Sequence, residues 1–194
     1  VVNTGLMGTA LEMAAEIRPC VDKEHLVDYY NLMFAAYFRM SQYADGSSQV
    51  QKNYSKTCLQ YRDSIMLYIR SNDPDYLRFK VGDVKTPKQI EDMIATFENE
   101  LSKSSLSTRQ DAMNAMTLAN LYQRVHNTDK YIQSLARSAI ADIRATNSDI
   151  DSLDALSQAL FEMGDLDHAY LYITTCLNII RTYGKRIHLL RLTD

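Results

Sequence analysis

The feature that most constrains the fold is the Gly164-Asp165 pair, which lies between two segments with helical apolar spacing. The apolar residues on its two sides are Leu153, Leu156, Leu160 and Met163 before it, and Ala169, Ile173, Cys176, Leu177 and Ile180 after it. Glycine commonly ends a helix, and aspartate caps the start of the next one. The pattern therefore predicts two amphipathic helices that pack as an antiparallel hairpin.

Composition favours helix along the whole chain. Its 194 residues include only three prolines and six glycines, too few to punctuate a sheet of many strands. No apolar run reaches the roughly 18 to 20 residues that cross a bilayer. Lys and Arg number 21 against 24 Asp and Glu, so the net charge of −3 provides no basic footprint for nucleic acid. We expect no nucleic acid to be bound by this segment.

The hairpin pattern recurs 38 residues upstream, where His126-Asn127 occupies the turn position. A polar connector, residues 144–151, joins the two copies, and its Asn147, Ser148 and Asp149 are suited to cap the next helix. Further upstream, residues 25–44 and 50–70 predict another hairpin around a turn at 45–48. Residues 88–103 predict one more helix.

Both downstream hairpins resemble the tetratricopeptide repeat. Leu153, Leu156 and Leu160 stand at the large sites of its first helix, and Ala169 stands where the two helices approach most closely. In the upstream copy Tyr131 occupies that small-residue site, which predicts a looser helix pair there. The resemblance implies an all-α fold, a right-handed solenoid of tetratricopeptide-like antiparallel helix hairpins.

We predict a single helical-repeat domain over residues 1–194, with the best-formed repeats at 112–146 and 150–183. Because the sequence begins at Val1, we expect it to be a fragment of a longer chain.

The stretches SAIADIRATN and ALFEMGDLDHAYLYI resemble a family of large membrane-anchored transcriptional regulators of Bacteroidetes. That family has an export signal, a tetratricopeptide-like periplasmic sensor region, a transmembrane helix and a cytoplasmic DNA-binding segment. The resemblance covers roughly residues 25–183 and implies that this chain is the sensor region alone. It implies a location on the periplasmic side of the inner membrane, with membrane contact only through segments outside this sequence. A cytoplasmic location is the alternative.

The tetratricopeptide register also implies a concave binding face built from first-helix residues. Its candidate members are Met116, Asn120, Gln123, Arg124, Asp154, Gln158, Phe161 and Glu162. Asn120 matches an asparagine that carboxylate-clamp repeats use to hold a peptide C-terminus, but Met116 stands where their lysine would be. Met116 and Phe161 suit peptide side chains. The alternative is that both pack in the core and that the polar residues are merely solvated.

Tyrosine is concentrated in the first half of the chain, with eight of the 13 between residues 29 and 76. Tyr54, Tyr61 and Tyr68 recur every seven residues, so they lie on nearly one helix face. Tyrosine can pack its ring against apolar groups while its hydroxyl stays exposed to water. We predict packing at seams between repeats, with a partner site or a sugar or aromatic-ligand platform as alternatives.

No pattern of catalytic, metal-binding or cofactor-binding residues stands out. Cys20, Cys58 and Cys176 lack zinc-ligand spacing and are interpreted as buried thiols, with one disulfide as the alternative. We therefore predict no enzyme activity, no metal and no cofactor. The predicted function is binding of a protein or peptide ligand as the sensor region of a regulator. The alternative is a constitutive scaffold without sensing, and homo-oligomer formation stays open.

Overall fold

A computed structural model describes residues 7–44, 46–146 and 149–183 of the chain. Its helices, in chain order, are α1 Met7–Ile17, α2 Leu26–Tyr43, α3 Gln49–Met66, α4 Tyr76–Lys80, α5 Pro87–Ser102, α6 Arg109–Arg124, α7 Thr128–Arg144, α8 Asp151–Glu162 and α9 Leu166–Tyr183. These described residues contain no strand, and the predicted all-α class is confirmed. They divide into two compact units, one up to Phe79 and one from Lys80 to Tyr183. The single domain stays a prediction.

In the first unit, α2 and α3 form the hairpin predicted from the sequence. Ser48 caps α3, because its hydroxyl accepts a hydrogen bond from the Gln51 backbone N–H at 3.1 Å. Helix α3 ends four residues earlier than the predicted limit of residue 70. The backbone N–H groups of Leu67 and Tyr68 turn back to the carbonyls of Ser64 and Ile65, which closes the helix.

Three tyrosines of this unit, Tyr30, Tyr37 and Tyr61, pack between α2 and α3. Tyr37 of α2 stacks on Tyr61 of α3 with 5.8 Å between the ring centroids, and Tyr30 lies 6.2 Å from the same ring. Burial is the main cause of the raised pKa of Tyr61. Tyr29 joins Ala14 of α1 in the core beneath them. These tyrosines thus pack between the two helices of one hairpin and also against α1, so packing at seams between repeats stays a prediction.

In the second unit, α6 pairs with α7 and α8 pairs with α9. Helix α5 packs on α6, and α7 packs on α8, so neighbouring helices in sequence are neighbours in space. Their shared core is formed by Ala119, Leu135, Leu156 and Ala159. The helix hairpins expected in this part of the chain are therefore present.

The prediction of a looser α6–α7 pair is wrong. These two helices contact each other more extensively than α8 and α9 do, in part because α6 has 16 residues whereas α8 has 12. Tyr131 packs against the shared core of the unit. Serine hydroxyls also link the paired helices, since Ser138 donates to the Ala112 carbonyl and Ser157 to the Ala169 carbonyl, each at 2.9 Å.

Of the three residues predicted to cap the next helix, Asp149 lies among the described residues, but the N-cap of α8 is Ile150, which makes no side-chain cap bond. The Asp149 carboxylate accepts a hydrogen bond from the Asp151 backbone N–H at 3.3 Å, at the start of α8. Asn147 and Ser148 lie outside the described residues.

All three cysteines are free thiols, so the alternative of one disulfide is not realised in this structure. Cys58 and Cys176 are buried as predicted, but Cys20 is exposed, which corrects the prediction for that residue.

Candidate functional site

An open groove lies between α8 and α9 and has a volume of about 590 Å³. Its lining consists of Ser157, Gln158, Phe161, Glu162, Leu166, Ala169, Tyr170 and Ile173. The volume falls within the range of roughly 300 to 1,000 Å³ that is usual for binding pockets. Most of these side chains present carbon atoms, so the groove offers apolar contact first and few directional hydrogen bonds.

Three large apolar side chains of this lining are exposed to solvent. Phe161 is 65% exposed, Tyr170 is 72% exposed and Leu166 is 58% exposed. Single exposed apolar residues are normal on protein surfaces, whereas several in one concave place indicate a contact surface. Met163 and Leu171 of the same hairpin are also exposed but do not line the groove, so the groove is distinguished by its concave shape together with these three side chains.

The turn between the helices fixes the two walls of the groove. Gly164 has a φ of +85°, a left-handed conformation that glycine adopts at little cost. The Gly164 N–H donates to the Phe161 carbonyl at 3.0 Å, and the Asp165 N–H donates to the Leu160 carbonyl at 2.9 Å. These bonds close α8, and Asp165 caps the start of α9 by accepting a hydrogen bond from the His168 N–H. Phe161 on one helix and Leu166 and Tyr170 on the other thus line the same groove.

Ser157 holds the helices together beneath the groove. It is buried, and its hydroxyl donates to the Ala169 carbonyl across the hairpin. This bond satisfies the serine in an otherwise apolar contact. The remaining polar side chains at the lining are Gln158, Glu162 and the Tyr170 hydroxyl.

Three carboxylates lie near the turn between α8 and α9, and of these Glu162 lines the groove. Glu162 is exposed. Burial is the main cause of the raised pKa of Tyr131, and the negative charge of Glu162 raises that pKa further. Asp165 accepts from His168 Nδ1 at 2.8 Å, and the hydrogen bond from His168 lowers the pKa of Asp165. Asp167 is also exposed and is three residues before Tyr170, so the two side chains are neighbours on the helix surface.

The structure brings Gln158, Phe161 and Glu162 of the predicted binding face together in this groove. Asp154, in contrast, is buried, with only 1% of its surface exposed. Its carboxylate accepts a hydrogen bond from Gln158 Nε2 at 3.1 Å. Asp154 therefore lies beneath the surface, where it supports Gln158 from below.

The four predicted residues of α6 lie outside the groove lining. Met116 is partly buried against the shared core of the unit. Asn120 and Gln123 are exposed. The Arg124 guanidinium donates through Nη2 to the Val84 carbonyl at 2.7 Å, so this arginine ties α6 to the segment before α5.

The sequence analysis missed the contribution of α9 to the groove. Leu166, Ala169, Tyr170 and Ile173 follow the spacing i, i+3, i+4 and i+7, which marks one face of a helix. The stripe of apolar residues that packs α9 in the core overlaps this face at Ala169 and Ile173. The sequence therefore contained a signal for the groove, because the apolar stripe of α9 is wider than a single buried face requires.

The described residues contain neither a metal-binding cluster nor a membrane-spanning helix. Among them, no cluster of three or more His, Cys, Asp or Glu side chains is arranged to hold a metal ion. None of the helices in residues 7–44, 46–146 and 149–183 has the length and apolar content needed to span a membrane.

Comparison with known proteins identifies the family. No curated protein matches the chain significantly. A protein family described as the SusR N-terminal TPR domain matches residues 1–194. This match confirms the predicted all-α solenoid of helical hairpins and the predicted resemblance to the tetratricopeptide-like region of Bacteroidetes regulators. It also supports a repeat module for protein interaction, a class that is generally non-catalytic. The chain belongs to the family of SusR N-terminal TPR domains.

Proposed function

We propose that this chain is the protein- or peptide-binding sensor region of a membrane-anchored regulator and that the α8–α9 groove is its binding site. The observation that carries the proposal is the exposure of Phe161, Leu166 and Tyr170 within one concave surface of an interaction module. Burying these side chains against a ligand would remove apolar surface from water, which favours binding. In this proposal the sensor lies in the periplasm, and its anchor and output segments belong to the parent protein.

The wider binding face remains part of the proposal. Asn120 and Gln123 are exposed on α6, in the same unit, and provide amide groups for a peptide backbone. Gln158 provides a third amide at the groove itself. A ligand that occupies the groove and extends along α6 would use both sets.

A photo-crosslinking experiment in cells tests the proposed site. The parent protein would carry a photoreactive phenylalanine analogue either in place of Phe161 or in place of Glu91, an exposed residue of α5. We expect a cross-linked protein or peptide from position 161 and none from position 91. Equal cross-linking at both positions, or none at 161, would contradict the site.

The same experiment separates a sensor from a constitutive scaffold. Cross-linking from position 161 should change with growth conditions if the module senses a ligand, and should stay constant if it only assembles a complex. Fractionation of the same cells tests the anchoring. Peptides of this chain should be found in the membrane fraction, joined to a spanning helix in the parent, and a short soluble parent would contradict the sensor proposal.

A further inference from the structure

We propose that the occupant of the α8–α9 groove is an amphipathic helix whose apolar face is flanked by lysine or arginine. This inference rests on the proposed function and names the class of partner that the site selects. Two properties of the groove carry it, the arrangement of its apolar residues and the sign of the charges at its edges.

The apolar residues of α9 form a straight stripe rather than a closed pocket. Leu166 and Ile173 are seven residues apart, so the stripe extends over roughly 10 Å of the helix. Phe161 of α8 borders it on the other side. A furrow between two antiparallel helices accepts a ridge of side chains from a third helix, with anchors at i, i+3, i+4 and i+7.

The lining is poorly suited to a small polar ligand. Such a ligand needs several convergent hydrogen-bonding groups. Ser157 already donates its hydroxyl to the Ala169 carbonyl, which leaves Gln158, Glu162 and Tyr170 as the polar side chains of the lining. An apolar helix face requires only a few polar contacts at its edges, which this lining provides.

The charges at the groove select a basic partner. Glu162 lies at the α8 edge, while Asp165 and Asp167 lie at the turn and in the first turn of α9. In residues 151–183 the single Lys or Arg is Arg181, eleven residues beyond Tyr170 and roughly 16 Å along the helix. His168 partly offsets this field through its contact with Asp165. Lysine or arginine beside the apolar face of a partner would complement these carboxylates.

The same charges disfavour a second copy of this hairpin as the occupant. A symmetric dimer places the same patch of both copies face to face. The carboxylates of Glu162 and Asp167 in one copy would then face a surface of the same negative sign in the other. Like charges at such close range cost free energy unless cations intervene.

The test uses two labelled peptides of 18 residues that differ only in charge. Each has leucine at i, i+3, i+4 and i+7 positions. All remaining positions are lysine in the first peptide and glutamate in the second. Fluorescence anisotropy would measure their binding to the whole chain. We expect the lysine peptide to bind at least about tenfold more tightly than the glutamate peptide, and salt to weaken its binding.

Three variants locate the binding. Glu162→Lys should weaken binding of the lysine peptide by roughly tenfold. Glu91→Lys on α5 makes the same change in net charge and should alter the affinity of that peptide by less than about twofold. Phe161→Ala should weaken binding of the lysine peptide by about tenfold or more through loss of an apolar anchor. Since Phe161 is mostly exposed, its variant should keep the native circular dichroism and melting temperature.

Each contrary result has a distinct meaning. Equal weakening by Glu162→Lys and Glu91→Lys would overturn the inference, because binding would then follow overall charge. If both peptides bind equally and both depend on Phe161, the groove binds peptides as proposed, but the basic partner class is wrong. Self-association in sedimentation experiments that disappears in Phe161→Ala would replace the helix with a second copy. If neither peptide binds and position 161 gives no cross-link in cells, the proposed function fails as well.

Discussion

At the scale of single residues, polar side chains connect neighbouring helices through buried or half-buried contacts. The Tyr122 hydroxyl of α6 donates to Glu98 of α5 at 2.9 Å, and Arg137 of α7 approaches the same carboxylate at 3.3 Å. Burial and this hydrogen bond raise the pKa of Tyr122 to about 12. One carboxylate thus links three consecutive helices of the second unit.

The Asp165–His168 contact predicts a dependence on pH at the start of α9. The hydrogen bond from His168 lowers the pKa of Asp165 below its ordinary value of 3.8. A lowered pKa in the folded state stabilises the fold above the unfolded value, and this stabilisation is lost as pH falls through the lowered pKa. We expect His168→Ala to raise the pKa of Asp165 toward 3.8, as measured by NMR titration of the carboxyl group. An unchanged pKa would show that His168 does not hold this carboxylate.

The three thiols should differ sharply in reactivity. Burial raises the pKa of Cys58 to about 11 and that of Cys176 to about 12, whereas Cys20 is exposed. Since the thiolate is the reactive form, one thiol should react rapidly with a chromogenic disulfide and two only after denaturation. Cys20→Ser should remove the rapid phase. A rapid phase that persists in this variant would contradict the assigned burial.

At the scale of structural elements, the two turns of the second unit share one backbone design. His126 has a φ of +56° at the end of α6, as Gly164 has +85° at the end of α8. The Asn127 N–H donates to the Tyr122 carbonyl, which matches the bond from Asp165 to Leu160. Asn127 and Asp165 then accept a hydrogen bond from a backbone N–H of the following helix. Each turn therefore ends one helix with a left-handed residue and caps the next.

This shared design predicts opposite effects of two substitutions. Gly164→Ala should lower the free energy of unfolding by about 1 kcal/mol, because a Cβ disfavours the left-handed conformation. The added Cβ would meet no atom within 4 Å, so the cost comes from the backbone alone. His126→Gly should raise stability, by less than about 1 kcal/mol because glycine also increases the entropy of the unfolded chain. Urea unfolding measures both, and a destabilising His126→Gly would contradict the argument.

At the scale of the whole molecule, the described residues form two compact units, and the candidate groove lies in the second. The residues of the predicted binding face have separate tasks within that unit. Both Arg124 and Asn120 are exposed, but Arg124 also donates a hydrogen bond to the Val84 carbonyl, which ties α6 to the segment before α5. Replacing Arg124 and Asn120 together would mix an effect on stability with an effect on peptide binding.

Single substitutions separate the effects. Arg124→Ala should lower the free energy of unfolding by roughly 0.5 to 1.5 kcal/mol, the usual net range for a hydrogen bond, because water partly screens this exposed arginine. Asn120→Ala should leave unfolding nearly unchanged, and it should weaken a bound peptide if the face of α6 contributes to binding. Urea unfolding and titration with the lysine peptide provide the two measurements. An Arg124→Ala variant as stable as the native chain would show that its bond to Val84 contributes little.

The sequence by itself determined the local structure of this protein. The spacing of apolar residues defined α8 and α9, and Gly164-Asp165 marked the turn because few residues other than glycine adopt a left-handed backbone readily. The stretches SAIADIRATN and ALFEMGDLDHAYLYI indicated the family. These signals depend on neighbours along the chain, which a sequence contains directly.

Only the tertiary structure decided which side of each helix is covered. The register placed Asp154 and Phe161 on one binding face, yet packing buries the first and exposes the second. Periodicity likewise indicated an apolar face on α9 but did not show that Leu166 and Tyr170 extend it into an open groove beside Phe161. Burial depends on contacts between segments distant in sequence, and apolar spacing is the same whether a face meets the core, a partner or water.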